Sequence, residues 1–167
     1  KDEAQKLMSE SLANAKTSTE IASLLSSMVQ RNNFETTMQL LYGVDRSLVK
    51  RVAATYGFPD EQLLSWTKAI FTLRNSCAHH ARIWNRVFGV KPSIPGKRKN
   101  PDWHIEPRFN HDRAGLMLTV CHFWLGKVSS TTQWRTRLFA LFDEFPEIPL
   151  AEMGLPQDWR NHSLWKA

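Results

Sequence analysis

The apolar positions recur with a helical period along most of the chain and alternate nowhere, so the pattern predicts an all-α protein. The clearest stretch runs from Leu63 to Phe88, LLSWTKAIFTLRNSCAHHARIWNRVF, and holds neither Pro nor Gly. On a wheel of ~100° per residue, Leu63, Trp66, Ile70, Leu73, Cys77, Ala81, Trp84 and Phe88 share one arc of roughly 80°. The opposite side carries Lys68, Asn75, His79, Arg82 and Arg86, spaced 7, 4, 3 and 4 apart. One unbroken helix is therefore expected, with a core face and a cationic face. Arg74 falls between them, and its long stem lets the guanidinium reach the polar side.

The other elements fall in order around this helix. Weak helical spacing marks Lys1 to Lys16, and a firmer pattern runs from Ile21 to about Gln30. A short helix is expected from Phe34 to Tyr42, stopped by Gly43. Asp45 caps the next, with Leu48, Val49, Val52 and Ala53 facing inward and Gly57 ending it. Pro59, Asp60 and Glu61 then suit the first turn of the central helix. Residues 89–107 hold four Pro, two Gly and the run Lys97-Arg98-Lys99, a long basic loop. Helix resumes from near Phe109 to about Lys127, with Met117, Val120 and Trp124 in its apolar set. A last helix follows Ser129 to Thr132 and turns Trp134, Leu138, Leu141 and Phe142 inward. Residues 146–167 read as an extended apolar tail laid over the helices. The total is about six or seven helices in a single domain, 1–167.

Composition narrows the classes. Seven Trp and 42% apolar residues supply a sizeable core. The two cysteines, Cys77 and Cys121, sit at apolar helical positions, which predicts buried thiols and no disulfide framework. No apolar run is long enough to span a bilayer and no leader is visible at the start, so a cytoplasmic protein with no membrane partner is expected. His104, His111, His122 and His162 share no ligand spacing with the cysteines, so neither metal nor cofactor is expected.

Charge changes the picture more. From Lys68 to Arg113 there are ten Lys/Arg against three acids, a net +7, while the rest of the chain has twelve against thirteen, a net −1. The whole basic excess thus sits on and just after the central helix. A concentrated cationic field suits a polyanion such as RNA. The plainer reading is a solvated face.

The candidate chemistry lies at Arg74-Asn75-Ser76-Cys77-Ala78-His79. A histidine ring exchanges protons near neutral pH. A neighbouring Arg stabilises charge on a phosphorus centre. Together they suffice for RNA cleavage, because the ribose 2′-OH is an internal nucleophile. Asn75 either orients His79 or binds a phosphate oxygen. Lys68, Arg82 and Arg86 extend the face toward a backbone, and Lys97, Arg98 and Lys99 are further RNA-binding candidates. His80, near the apolar arc, reads as a packing or hydrogen-bonding residue. The tryptophans sit at core spacing; Trp103, in the loop, is the one candidate for base stacking.

The string LRNSCAHHARIWNR at Leu73 to Arg86 resembles the signature of the Abi-like family of phage abortive-infection proteins. The tail EMGLPQDWRNHSLW, Glu152 to Trp165, resembles that family's C-terminal signature, and the likeness extends from about Ile21 to Trp165. The family belongs to the HEPN superfamily, whose Arg, polar residue and His correspond to Arg74, Asn75 and His79. The resemblance implies a HEPN-type bundle and a metal-independent endoribonuclease leaving a 2′,3′-cyclic phosphate and a 5′-hydroxyl. It also implies a homodimer that pairs two Arg/His sets, a toxin-like role in growth arrest during infection, and restraint by an RNA or protein antitoxin. Family members usually carry a longer N-terminal region, which this chain is expected to lack. The competing function is a non-catalytic RNA-binding or interaction module with the same fold; a purely structural helical module is the third reading.

Overall fold

A computed structural model describes residues 46–166. The helices expected before Gly43, and the Asp45 cap, lie outside these residues. Among the described residues there are five α-helices and no strand. They are α1 (Arg46–Thr55), α2 (Asp60–Ala78), α3 (Ala114–Val128), α4 (Trp134–Glu144) and α5 (Ser163–Lys166). Short 3-10 turns occupy Pro101–His104, Leu150–Met153 and Trp159–Asn161. The chain divides into two compact units whose boundary lies inside α2, between Leu64 and Ser65.

In the first unit, α1 buries Val49, Val52 and Ala53. It ends at Gly57, which takes a left-handed φ of 74°. The Phe58 N–H reaches back to the Ala53 carbonyl at 2.9 Å, and the Gly57 N–H to Ala54 at 3.0 Å. This is the Schellman closure that glycine adopts without steric cost. Arg46 then donates from Nε to Asp60 Oδ2 at 2.9 Å and reaches Glu61 at 3.4 Å. The Arg46 hydrogen bond holds the Asp60 carboxyl below its ordinary pKa.

The second unit is built on two aromatic clusters. Trp66, on α2, packs against Trp103 at 5.2 Å and edge-on to Phe123 at 5.8 Å. Its indole N–H donates to the Ser93 carbonyl at 2.8 Å, and the Ser93 N–H donates to Ser65 Oγ. These bonds strap the Pro-rich loop onto the helix. Trp103 is 6% exposed, so it is core and not a free stacking platform. Buried tryptophans each hide a large apolar area and dominate such a core.

The second cluster centres on Trp165, which is 1% exposed. His122 of α3 stacks on it at 4.6 Å, Trp159 meets it edge-on at 4.8 Å, and Trp134 lies parallel at 6.2 Å. Trp165 also donates from Nε1 to Thr119 Oγ1, and Arg135 donates to its carbonyl. The tail departs from the expected extended form: it is two 3-10 turns and a short helix, which bury Met153, Leu155, Trp159, Leu164 and Trp165 against the helices. Gly154 makes this approach possible. A Cβ there would stand 2.5 Å from Arg113 Cβ, and its φ of 78° also excludes a branched residue. Other local expectations also shift. Helix α3 starts at Ala114 instead of Phe109, and Leu141 on α4 is 49% exposed instead of inward.

His122 is buried, and among the described residues its Nδ1 has no partner. Burial, and then the Arg135 charge, lower its pKa below the ordinary value. The folded chain therefore prefers the neutral ring, while the unfolded chain takes up a proton near pH ~6.5. Below that pH the unfolded state binds more protons, so stability is lost as pH falls. The urea midpoint is expected to drop between pH 7.5 and 5.5. In His122→Phe, which keeps a ring in the stack, that drop should be smaller; an equal drop would assign the effect to other groups.

Candidate functional site

Helix α2 buries Trp66, Ala69, Leu73 and Ser76 within the second unit. The buried stripe thus steps from Leu73 to Ser76 and not to Cys77. Cys77 is exposed, contrary to the expectation of a buried thiol. Cys121 is largely covered, and burial pushes its thiol up to about 12.

The helix ends at Ala78, ten residues before the expected Phe88. No Gly or Pro marks this end. Instead His80 takes φ 51°, the left-handed region. The Ala81 N–H bonds to the Ser76 carbonyl at 2.9 Å and the His80 N–H to Cys77 at 2.9 Å. The closure is the one seen at Gly57, with a histidine in glycine's place. His80 is exposed, contrary to the packing half of its sequence reading. The segment beyond it is irregular because other groups claim its backbone. Arg113 Nη1 donates to the Asn85 carbonyl at 2.7 Å, and the Phe88 N–H donates to the Asp112 carbonyl at 2.8 Å.

A residue with a Cβ in the left-handed region costs about 1–2 kcal/mol, and histidine is among the types that tolerate it best. His80→Gly should therefore raise the unfolding free energy by about 1 kcal/mol, after glycine's own entropy cost. A urea titration measures this; a lower midpoint would show that the His80 side chain holds the turn.

The motif sits at this helix end. Arg74 is exposed, and its Nη1 donates to Asn75 Oδ1 at 3.0 Å. Asn75 is half-buried. Its carbonyl accepts the His79 N–H at 3.0 Å, so the two residues stand one turn apart. The Asn75 side chain holds Arg74 and makes no hydrogen bond to His79. His79 is exposed and directly precedes the left-handed residue. Arginine and imidazole thus meet solvent on one helix end, with the asparagine bracing the guanidinium.

The other predicted contacts separate. Lys68 is exposed on α2, two turns before Asn75 and on its face. Arg82 and Arg86 are exposed but lie on the irregular segment, so they do not continue a helical row. Arg86 lies over the Phe88 ring at 5.5 Å. Lys97, Arg98 and Lys99 are exposed on a turn closed by Lys99 and Asn100 N–H bonds to the Gly96 carbonyl. Sequence reading missed the Arg113 and Asp112 tethers, which no local pattern announces. Among the described residues no group of three or more His, Cys, Asp or Glu is placed to hold a metal ion. No helix among them is long and apolar enough to cross a membrane.

Residues 9–85 match the model of a family described as Abi-like protein. The match covers a little under half of the chain, takes in Arg74, Asn75, His79 and His80, and ends at Asn85. The tail at Glu152 to Trp165 lies outside it. No curated protein and no solved structure matches the chain.

Proposed function

We propose that the protein is an Abi-like endoribonuclease of HEPN type that acts in phage abortive infection, cleaving RNA without a metal ion. The observation that carries this reading is the helix end where Arg74, Asn75 and His79 meet solvent within the stretch that matches the family. In the reaction one His79 imidazole takes the proton of the ribose 2′-OH. O2′ attacks phosphorus and the P–O5′ bond breaks. A protonated imidazole, His79 of the partner subunit, gives its proton to the departing 5′ oxygen. The products are a 2′,3′-cyclic phosphate and a 5′-hydroxyl. Arg74 stabilises the charge on the non-bridging oxygens, and Asn75 keeps the guanidinium aimed. The homodimer that brings two such ends together has the HEPN bundle as its fold and sits in the cytoplasm. Lys68, Arg82, Arg86 and the Lys97–Lys99 turn hold the RNA backbone, and an RNA or protein antitoxin restrains the activity.

The test is incubation of the purified chain with single-stranded RNA in EDTA, with mass analysis of the fragments. Cyclic-phosphate ends are expected. Tight, salt-sensitive binding with no such product would point to a non-catalytic RNA-binding module on the same basic face.

A further inference from the structure

An open cleft of about 110 Å³ lies in the second unit, and none of Arg74, Asn75 or His79 lines it. Half-buried Ile94 forms the open part of its apolar wall, and Trp103, Phe109 and Leu116, all buried, stand behind it. His104, Arg108 and His111 form its polar side. We propose that this cleft holds one nucleotide of the bound RNA, its heterocycle on the apolar wall and its phosphate on Arg108 and His111. The assignment rests on RNA being the substrate, as proposed above.

The wall is built to stay in place. Trp103 is wedged against Trp66 and Phe123, and Phe109 meets the His162 ring edge-on at 5.0 Å. The heterocycle therefore meets Ile94 and the outer edges of this buried cluster, an apolar floor that needs little ordering. The polar groups are already oriented. Arg108 is braced by Glu106, whose carboxylate pairs with its Nε at 2.8 Å and accepts from its backbone N–H at 3.1 Å. Among the described residues neither Nη of Arg108 has a partner, so the outer edge of the guanidinium stays open to a phosphate. His104 bonds through Nε2 to the Pro95 carbonyl at 2.8 Å, which makes Nε2 the donor and leaves Nδ1 to accept from a ribose hydroxyl or a base amino group. His111 is exposed at the rim.

Glu106 also sets a limit. Its carboxylate beside Arg108 tolerates one phosphodiester charge better than the several of a polyphosphate. The cleft is tied to the motif's own chain: Asp112 and Arg113, next to His111, hold Phe88 and Asn85 of the segment that leaves His79.

The experiment uses the full chain and a short 2′-O-methyl RNA, which cannot be cleaved. Binding is measured at low salt for wild type, Arg108→Gln/His111→Gln and Arg74→Gln. Uridine and adenosine monophosphates and inorganic phosphate are titrated separately by calorimetry. Both cleft side chains are exposed, and unchanged thermal melting checks the fold. The double variant is expected to lose at least about tenfold in RNA affinity, and the mononucleotides should bind more tightly than phosphate alone. RNA affinity unchanged in the double variant but lost in Arg74→Gln overturns the cleft assignment and leaves the enzyme reading standing. Mononucleotide binding that the double variant loses while RNA affinity holds overturns the RNA source. Phosphate binding as well as nucleotides do overturns the role of the apolar wall. A wild-type chain that binds no RNA overturns both readings.

Discussion

His79→Ala is expected to lower the rate of RNA cleavage by about 10²–10⁴-fold, the range that a positioned proton-transfer group supplies. The loss should fall on kcat more than on KM, since in the proposed reaction the imidazole acts on the 2′ and 5′ oxygens and not on the bulk of the RNA. Stability should hardly change. His79 is exposed, and what closes the helix there is backbone hydrogen bonding and not its ring. Arg74→Ala should cost about 10²–10³-fold, as for a charge-stabilising donor. The double variant should fall well short of the product of the two losses, because residues that act as one unit are not additive. Cleavage in EDTA, followed by the appearance of cyclic-phosphate ends, reads all three. A His79→Ala protein as active as wild type would remove the ring from the reaction.

The largest effect on stability is expected from Trp165→Ala, a loss of about 3–5 kcal/mol. The side chain is fully enclosed and joins α3, α4 and the tail through His122, Trp134 and Trp159. Its removal leaves Thr119 without the indole donor. Against a typical domain stability of about 5–15 kcal/mol, that is a large fraction. Urea unfolding monitored by circular dichroism measures it. A second readout separates loss of packing from general damage. With the indole gone His122 is no longer enclosed, so the acid sensitivity of stability should shrink in the variant. A loss below about 1 kcal/mol would mean that the tail contributes little to holding α3 and α4 together.

Two helix ends show how far the sequence could be read. The Gly57 end was legible because glycine in the left-handed region is a local signal. His80 adopts the same geometry with nothing local to announce it. The apolar spacing continues through Ala81, Trp84 and Phe88, so periodicity alone carries a helix ten residues too far. What stops it is tertiary: Arg113 and Asp112, from the far side of a long loop, take backbone groups of Asn85 and Phe88. The helical class and the inward face at Trp66 and Leu73 followed from spacing, since burial enforces that period. The placement of Arg74 and Asn75 on α2 followed too, because that part of the helix exists as expected. Trp103 was misplaced for a related reason. A tryptophan in a Pro-rich loop carries no periodicity, and only the neighbouring Trp66 and Phe123 reveal that it is core.

The strapped loop bears on how the basic turn at 96–100 works. Trp66, Ser93 and Trp103 pin the chain on either side of Lys97, Arg98 and Lys99, so these cations stand on a fixed promontory. A polyanion that settles there meets charges already in register and spends little freedom on freezing a floppy arm. If this turn holds RNA as proposed, such a fixed outpost favours strands whose curvature matches it, with backbone shape selecting alongside charge.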